Sequence, residues 1–222
     1  MVKIKNLTQN FYNRVKLASR KLNVDLTKLI EENIRDCDSI LDLGCGPSSR
    51  LEKINTNNKY TVGVDIFEKY IEISRKKKIH DSYVILDIKH IEKKFPPKSF
   101  DCVMLLDVIE HLKKSEGINI INKMEKIAKR KIIVSTPNGY IRQDEYHNNI
   151  LQMHKSGWKL KIFKKLNFRV YGFNGLKFIR GDLGNIKLKP LQLWQHISTF
   201  TNLFVVSLPQ FAFHLFCVKN LQ

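Results

Sequence analysis

Ile40-Leu41-Asp42-Leu43-Gly44-Cys45-Gly46-Pro47 is a short strand-like run that passes straight into a glycine turn. Glycine lacks the Cβ that would hold a ligand away from the backbone, and such a turn opens at the carboxyl edge of a parallel sheet, where these folds bind ligands. Dinucleotide dehydrogenases use a similar turn, but their fingerprint would place a third glycine where this chain has Ser49. Pro47 also lacks the amide hydrogen that a pyrophosphate cradle uses. A ligand without a phosphate loses nothing by that.

Outward from this stretch the chain repeats one pattern. Apolar runs at Ile40 to Leu43, Tyr60 to Val64, Tyr83 to Leu86, Cys102 to Leu106 and Ile132 to Ser135 are each followed by a polar or helical segment. Runs without alternation suit strands buried on both faces, which predicts a parallel sheet with helical crossovers over approximately Ser48 to Ile54, Glu68 to Lys77 and Ser115 to Ala128. Phe168 to Phe173 and Phe211 to Val218 are expected to complete the sheet. Between them an insertion reads as an amphipathic helix from Leu191 to Leu208, with Leu193, Ile197, Phe200, Phe204 and Leu208 on one face. That face packs on the core, rests on a membrane or pairs with a second copy. Ahead of the sheet, Leu7, Phe11, Val15 and Leu22 suggest one helix, and Leu26, Leu29, Ile30 and Ile34 a second, capped by Asp25.

The 222 residues and 43% hydrophobic content suit one α/β domain. We read 1–35 as N-terminal helices, 36–140 as the ligand-binding core, and 141–222 as an acceptor-side loop, the helical insertion and the final strands. Cys37, Cys45, Cys102 and Cys217 show no paired spacing, which argues against a disulfide framework or a zinc knuckle. Polar breaks at Asn202, Pro209, Gln210 and His214 argue against a spanning helix in the most apolar stretch. The expected location is cytoplasmic, with peripheral contact to a membrane as a variant. A net charge of +18 suits nucleic acid, an anionic surface or an acidic substrate, although the dispersed lysines equally suit a compositional bias.

Two further strand ends carry acids. Val62-Gly63-Val64-Asp65 places a carboxylate where it accepts from ribose hydroxyls, and Val84-Ile85-Leu86-Asp87 places another within reach of an adenine amino group. Together with Phe100 to Leu112 and Ile133 to Asn138, these stretches resemble the successive motifs of class I S-adenosylmethionine (SAM) methyltransferases. The similarity covers roughly 36–140 and is closest to the branch containing the ubiquinone-biosynthesis O-methyltransferases, the type 11 methyltransferases. It implies a Rossmann-like seven-stranded sheet, mostly parallel with its last strand antiparallel, flanked by helices. It also implies that Gly44, Cys45 and Gly46 approach the methionine part of SAM and that Asp42 holds the turn. Asp65 and Ile66 then face the ribose, Asp87 and Ile88 the adenine, and Leu106 the cofactor's inner face.

Methyl transfer needs alignment and exclusion of water more than it needs a base, and positioning alone supplies roughly 7–11 kcal/mol. For a hydroxyl acceptor, His111 and Glu110 are the candidate catalytic groups. On one turn of helix Asp107, Glu110 and His111 would share a face and could hold Mg²⁺ or Mn²⁺. That triad resembles the Glu-x-x-Glu-His site of ubiquinone O-methyltransferases and the site of small-RNA 2′-O-methyltransferases. It departs from both by having Asp107 for the first Glu, and from the RNA pattern by having Leu112 for the second His. Tyr140, Tyr146, His147, His154 and Trp158 lie in a polar, aromatic loop of the kind that forms acceptor pockets. The expected activity is O-methylation of a small molecule or a glycan or lipid-linked acceptor. The alternatives are an RNA methyltransferase and a SAM-binding module without catalysis.

Overall fold

The computed structural model describes residues 26–145, 149–181 and 184–221. The first amphipathic segment, its neighbour's cap at Asp25, and Tyr146 and His147 lie outside them. In chain order the main elements are α1 (Leu26–Ile34), β1 (Ser39–Leu43), β2 (Tyr60–Asp65), α2 (Glu68–Lys76), β3 (Ser82–Ile85), β4 (Phe100–Leu106), α3 (Lys114–Ile127), β5 (Ala128–Pro137), α4 (Leu160–Lys165), β6 (Arg169–Leu176), α5 (Leu191–Phe200), α6 (Asn202–Val205) and β7 (Ala212–Asn220).

The seven strands form one sheet in the order β3-β2-β1-β4-β5-β7-β6. β7 runs antiparallel to both β5 and β6, while the pairings among β1 to β5 are parallel. Burial on two faces explains the apolar runs. Leu41, Leu43, Val103 and Leu105 face α3 and α4, through Ile120, Met124 and Phe163. Ile40, Cys102 and Met104 face α1, through Leu26, Ile30 and Ile34.

Two helix expectations are corrected. The crossover at Ser48 to Ile54 is only a 3-10 turn, Arg50–Lys53. Ser49 caps it, with extended backbone, and its hydroxyl also donates to Asp42 at 2.5 Å, which holds that residue out of the helix. The insertion is two helices, α5 and α6, broken at Thr201, and its apolar stripe is not core. Its inward face carries polar groups beside the buried Val205: Asn202 Oδ1 accepts from Gly175 N (2.6 Å), Thr201 Oγ1 from Leu176 N (3.2 Å), and Ser198 Oγ from Arg180 (3.1 Å). Gly175, at φ 71°, permits this approach, since a Cβ there would lie 2.3 Å from Ser198 Oγ. Phe200, Phe204 and Leu208 consequently point outward, 39%, 55% and 45% exposed.

Candidate active site

The sheet order places β2 and β3 on one side of β1, and β4 and β5 on the other. The loops leaving β1 and β4 therefore diverge and open a crevice at the carboxyl ends of the strands. Gly44 and Gly46 follow β1 with φ of 68° and 60°, a conformation that glycine adopts without strain. Gly44 donates to Val64 O at 2.7 Å, and a Cβ on it would meet Val108, from the β4 loop, at 2.5 Å. A Cβ on Gly46 would meet nothing within 4 Å, so this residue borders open space. Gly46 N donates to Asp65 Oδ2 at 2.9 Å and Phe67 N to Asp65 Oδ1 at 2.8 Å, which ties the two loops through one carboxylate. Burial pushes the Asp65 carboxyl up, while the Phe67 and Gly46 amides pull it down. Asp42 is buried beneath the turn, where it accepts from Ser49 Oγ and, at 3.1 Å, from His80 Nε2. Nothing in the sequence pattern marks His80 for that role.

Two cavities follow from this geometry. One of about 350 Å³ is bordered by Gly44, Gly46, Asp65, Ile66, Asp87 and Ile88, with Tyr70, Val108 and Leu112, which the sequence reading did not assign to the cofactor. A second, of about 380 Å³, takes in Asp42, Cys45 and Leu106, and both share Gly44 and Asp107. Asp87 Oδ1 accepts from Lys89 N at 2.9 Å, which caps the short turn that carries Ile88. Burial pushes the Cys45 thiol up, so it stays protonated and packs as a small apolar group.

On the far side of Asp107 lies a third cavity, of about 350 Å³. Glu110, His111 and His154 meet in its wall, with one ligand atom from each within 4.8 Å of the others. Asp107 is not in that group, a correction to the expected triad. It sits at φ 54°, ahead of a 3-10 turn (Ile109–His111), so it does not share a helix face with Glu110. Its Oδ1 accepts from Ser135 Oγ at 2.8 Å instead. His154 arrives because Lys155 N and Ser156 N donate to Glu110 O at 2.8 and 3.0 Å. Both imidazoles are oriented alike: His111 Nδ1 donates to Met153 O (3.2 Å) and His154 Nδ1 to Ile141 O (2.7 Å). A carbonyl can only accept, so each Nε2 keeps its lone pair for the cavity. Burial holds both rings neutral, His111 with a pKa of about 4. The Glu110 carboxyl, buried beside Asp107 and accepting from Thr136 Oγ1 at 3.0 Å, is pushed well up.

Residues 41–135 match the family described as a methyltransferase domain. That segment carries a methyltransferase domain. Similar solved structures include a SAM-dependent methyltransferase from Archaeoglobus fulgidus, 21% identical with a TM-score of 0.53 over 88% of this chain and 94% of that one. The plantazolicin methyltransferase BpumL, solved with S-adenosylhomocysteine, is 17% identical with a TM-score of 0.54 over 98% and 90%. The small RNA methyltransferase HEN1 is 18% identical with a TM-score of 0.53 over 86% of this chain and 25% of that one. At these identities the likeness is one of fold. No curated protein sequence matches the chain.

The loop that follows β5 divides into an exposed part and a buried anchor. Trp158 is wholly buried, which corrects its expected place in the acceptor pocket. Its indole Nε1 donates to Ile109 O (3.2 Å) and Ser156 Oγ (2.9 Å), and a Cβ on Gly117 would lie 2.4 Å from its ring. The loop is thereby pinned to α3 and to the turn that carries His111. Tyr140 is 59% exposed, its hydroxyl 3.4 Å from His154 O. Trp158→Ala is expected to destabilise the protein by roughly 3–5 kcal/mol through the cavity it leaves, measured by denaturant unfolding. A loss below about 1 kcal/mol would return Trp158 to the candidate acceptor contacts.

Proposed function

We propose that the protein transfers the methyl group of SAM to a hydroxyl oxygen of a small molecule or glycan acceptor, lipid-linked acceptors included. The observation that carries this is continuity: the cavity at the glycine turn and the cavity lined by Glu110, His111 and His154 share Asp107, His111 and Gln152. Donor and acceptor bound in the two would meet at that shared wall. For SAM, Gly44, Cys45 and Gly46 run along the methionine part, Asp42 supports the turn, and Asp65 accepts from the ribose hydroxyls. Asp87 accepts from the adenine amino group between Ile66 and Ile88, and Leu106 closes the inner face. The crevice offers no phosphate cradle, and SAM has no phosphate to place in one.

In the transfer the acceptor oxygen attacks the methyl carbon, the carbon–sulfur bond breaks, and its electron pair leaves with the sulfur as a neutral thioether. The hydroxyl proton passes to a neighbouring base, and the free Nε2 of His111 is the group placed to take it, with Glu110 as the second candidate. Alternatively, since a lone pair that ligates a cation takes no proton, Glu110, His111 and His154 fit a divalent cation: two neutral imidazoles with oriented lone pairs, and a buried carboxyl that a positive partner would hold ionised. Such a cation would supply Lewis acidity to the acceptor oxygen. The test is transfer of labelled methyl from SAM to panels of hydroxylated small molecules, glycans and RNA. Label confined to RNA would overturn the acceptor class.

The outward stripe of α5 and α6 supports a second reading, contact with an anionic lipid surface. Leu191, Phe200, Phe204, Leu208 and Phe211 are each 39% exposed or more, and the exposed Lys187 and Lys189 lead into α5. Residues 160–222 hold nine Lys and Arg against one acid, Asp182. A second copy would set two such basic surfaces against each other, whereas an anionic bilayer satisfies both charge and apolar area. Phe200→Glu with Phe204→Glu should abolish co-sedimentation with phosphatidylglycerol vesicles and leave the melting temperature and SAM affinity in place. A concentration-dependent dimer that the double variant loses, with no vesicle binding by the parent protein, would assign the face to a second copy instead.

A further inference from the structure

The acceptor-side cavity contains a cation that the methyl-transfer chemistry does not use. Arg180 lines it together with Asn174, Phe213 and His214, in the same wall as Asp107 and Glu110. Its guanidinium is clamped: Nε donates to Asn174 O and Nη1 to Gly184 O, both at 2.7 Å, and Nη2 to Ser198 Oγ at 3.1 Å. It also lies over the Phe213 ring, 5.5 Å from its centroid. All three acceptors are uncharged. Arginine has five N–H groups in a fixed fork, so three bonds leave two free, one on each Nη. Among the described residues no carboxylate forms an ion pair with Arg180. Asp107 and Glu110 are engaged by the Ser135 and Thr136 hydroxyls.

A half-buried, rigidly held guanidinium with no carboxylate paired to it among the described residues is unfavourable in the free protein, because desolvation is not offset there by a counter-charge. Such a group is useful when a ligand brings the missing charge, and two parallel N–H groups match a carboxylate or phosphate. Asn174 adds direction. Its Nδ2 is 3.1 Å from His214 Nδ1, an arrangement in which the amide donates and the ring accepts, and this fixes the side chain beside Arg180.

We propose that Arg180 is the anion-binding residue of the acceptor cavity, so that the methyl acceptor carries a carboxylate or phosphate group in addition to its hydroxyl. This rests on the reading of the cavity as the acceptor site. The α5 helix contributes through Ser198, which makes the insertion part of the specificity apparatus.

The test starts from protein saturated with S-adenosylhomocysteine, whose binding is first established by calorimetry, so a failure of the cofactor reading shows before any anion is added. Inorganic phosphate and, separately, benzoate are then titrated at constant ionic strength while the Arg180 Nε–H resonance is followed. A saturable shift is expected, for phosphate, for benzoate or for both, and the anion that saturates identifies the group. Arg180→Lys should weaken that binding roughly tenfold or more, since the fork is lost while the charge stays. Arg142→Gln, at an exposed arginine paired with Asp144, should leave it unchanged. A linear, unsaturable shift would overturn the proposal as adventitious charge screening. So would binding that emerges only in Asp182→Asn, because the chain's own acid would then be the partner. If Arg180→Lys does not fold, the titration of the parent protein decides alone.

Discussion

Asp65→Ala is expected to weaken SAM binding roughly tenfold or more while the protein remains folded. A hydrogen bond to a charged group is worth about 1.5–3 kcal/mol, and 1.4 kcal/mol is a factor of ten in affinity. The structure strengthens the expectation in one respect. Asp65 does not merely face the cavity; it also holds Gly46 N and Phe67 N, so its loss releases the glycine turn as well as the ribose hydroxyls. Asp65→Asn retains one acceptor oxygen and should fall between the parent and the alanine variant. Calorimetric titration with S-adenosylhomocysteine, alongside a thermal melt, reads both effects. Unchanged affinity in a folded Asp65→Ala protein would remove Asp65 from the cofactor site.

The second large effect concerns the cluster at Glu110. Treatment with a chelator is expected to abolish methyl transfer, and Mn²⁺ or Mg²⁺ to restore it, with SAM affinity unchanged throughout. His154→Ala should reduce activity roughly a hundredfold or more, because losing a ligand exceeds the 10–100-fold seen when only a ligand's supporting partner is removed. Asp107→Asn should do less, since Asp107 stands outside the cluster and its carboxylate faces Ser135 Oγ and, at 3.9 Å, His214 Nε2. That ordering separates the observed arrangement from the Asp107, Glu110 and His111 triad expected from spacing. Full activity in chelator, with no metal detected in the protein, would leave His111 as a base or a structural imidazole.

The local chemistry of the chain determined the frame by itself. Apolar runs without alternation suit strands of a layered sheet, and each of the seven was legible to within a few residues, as in Tyr60 to Val64 against β2 at Tyr60–Asp65. The glycine turn and the acids at Asp65 and Asp87 were legible because they follow directly on those strands, and the sheet carries them to one edge. Tertiary structure alone decided contacts between segments distant in sequence. His154 joins His111 across 43 positions because the Glu110 carbonyl captures two amides of the loop, and His80 reaches Asp42 from a connection with no motif. Trp158 reads the same in sequence whether it lines a pocket or fills a core; only the space left by Gly117 shows which. The insertion is the clearest case, because hydrophobic periodicity shows that a helix has an apolar face and not which way that face points. Here the unpaired amides of Gly175 and Leu176 at the end of β6 needed acceptors, and Asn202 and Thr201 supplied them, so the polar face turned inward and the phenylalanines outward.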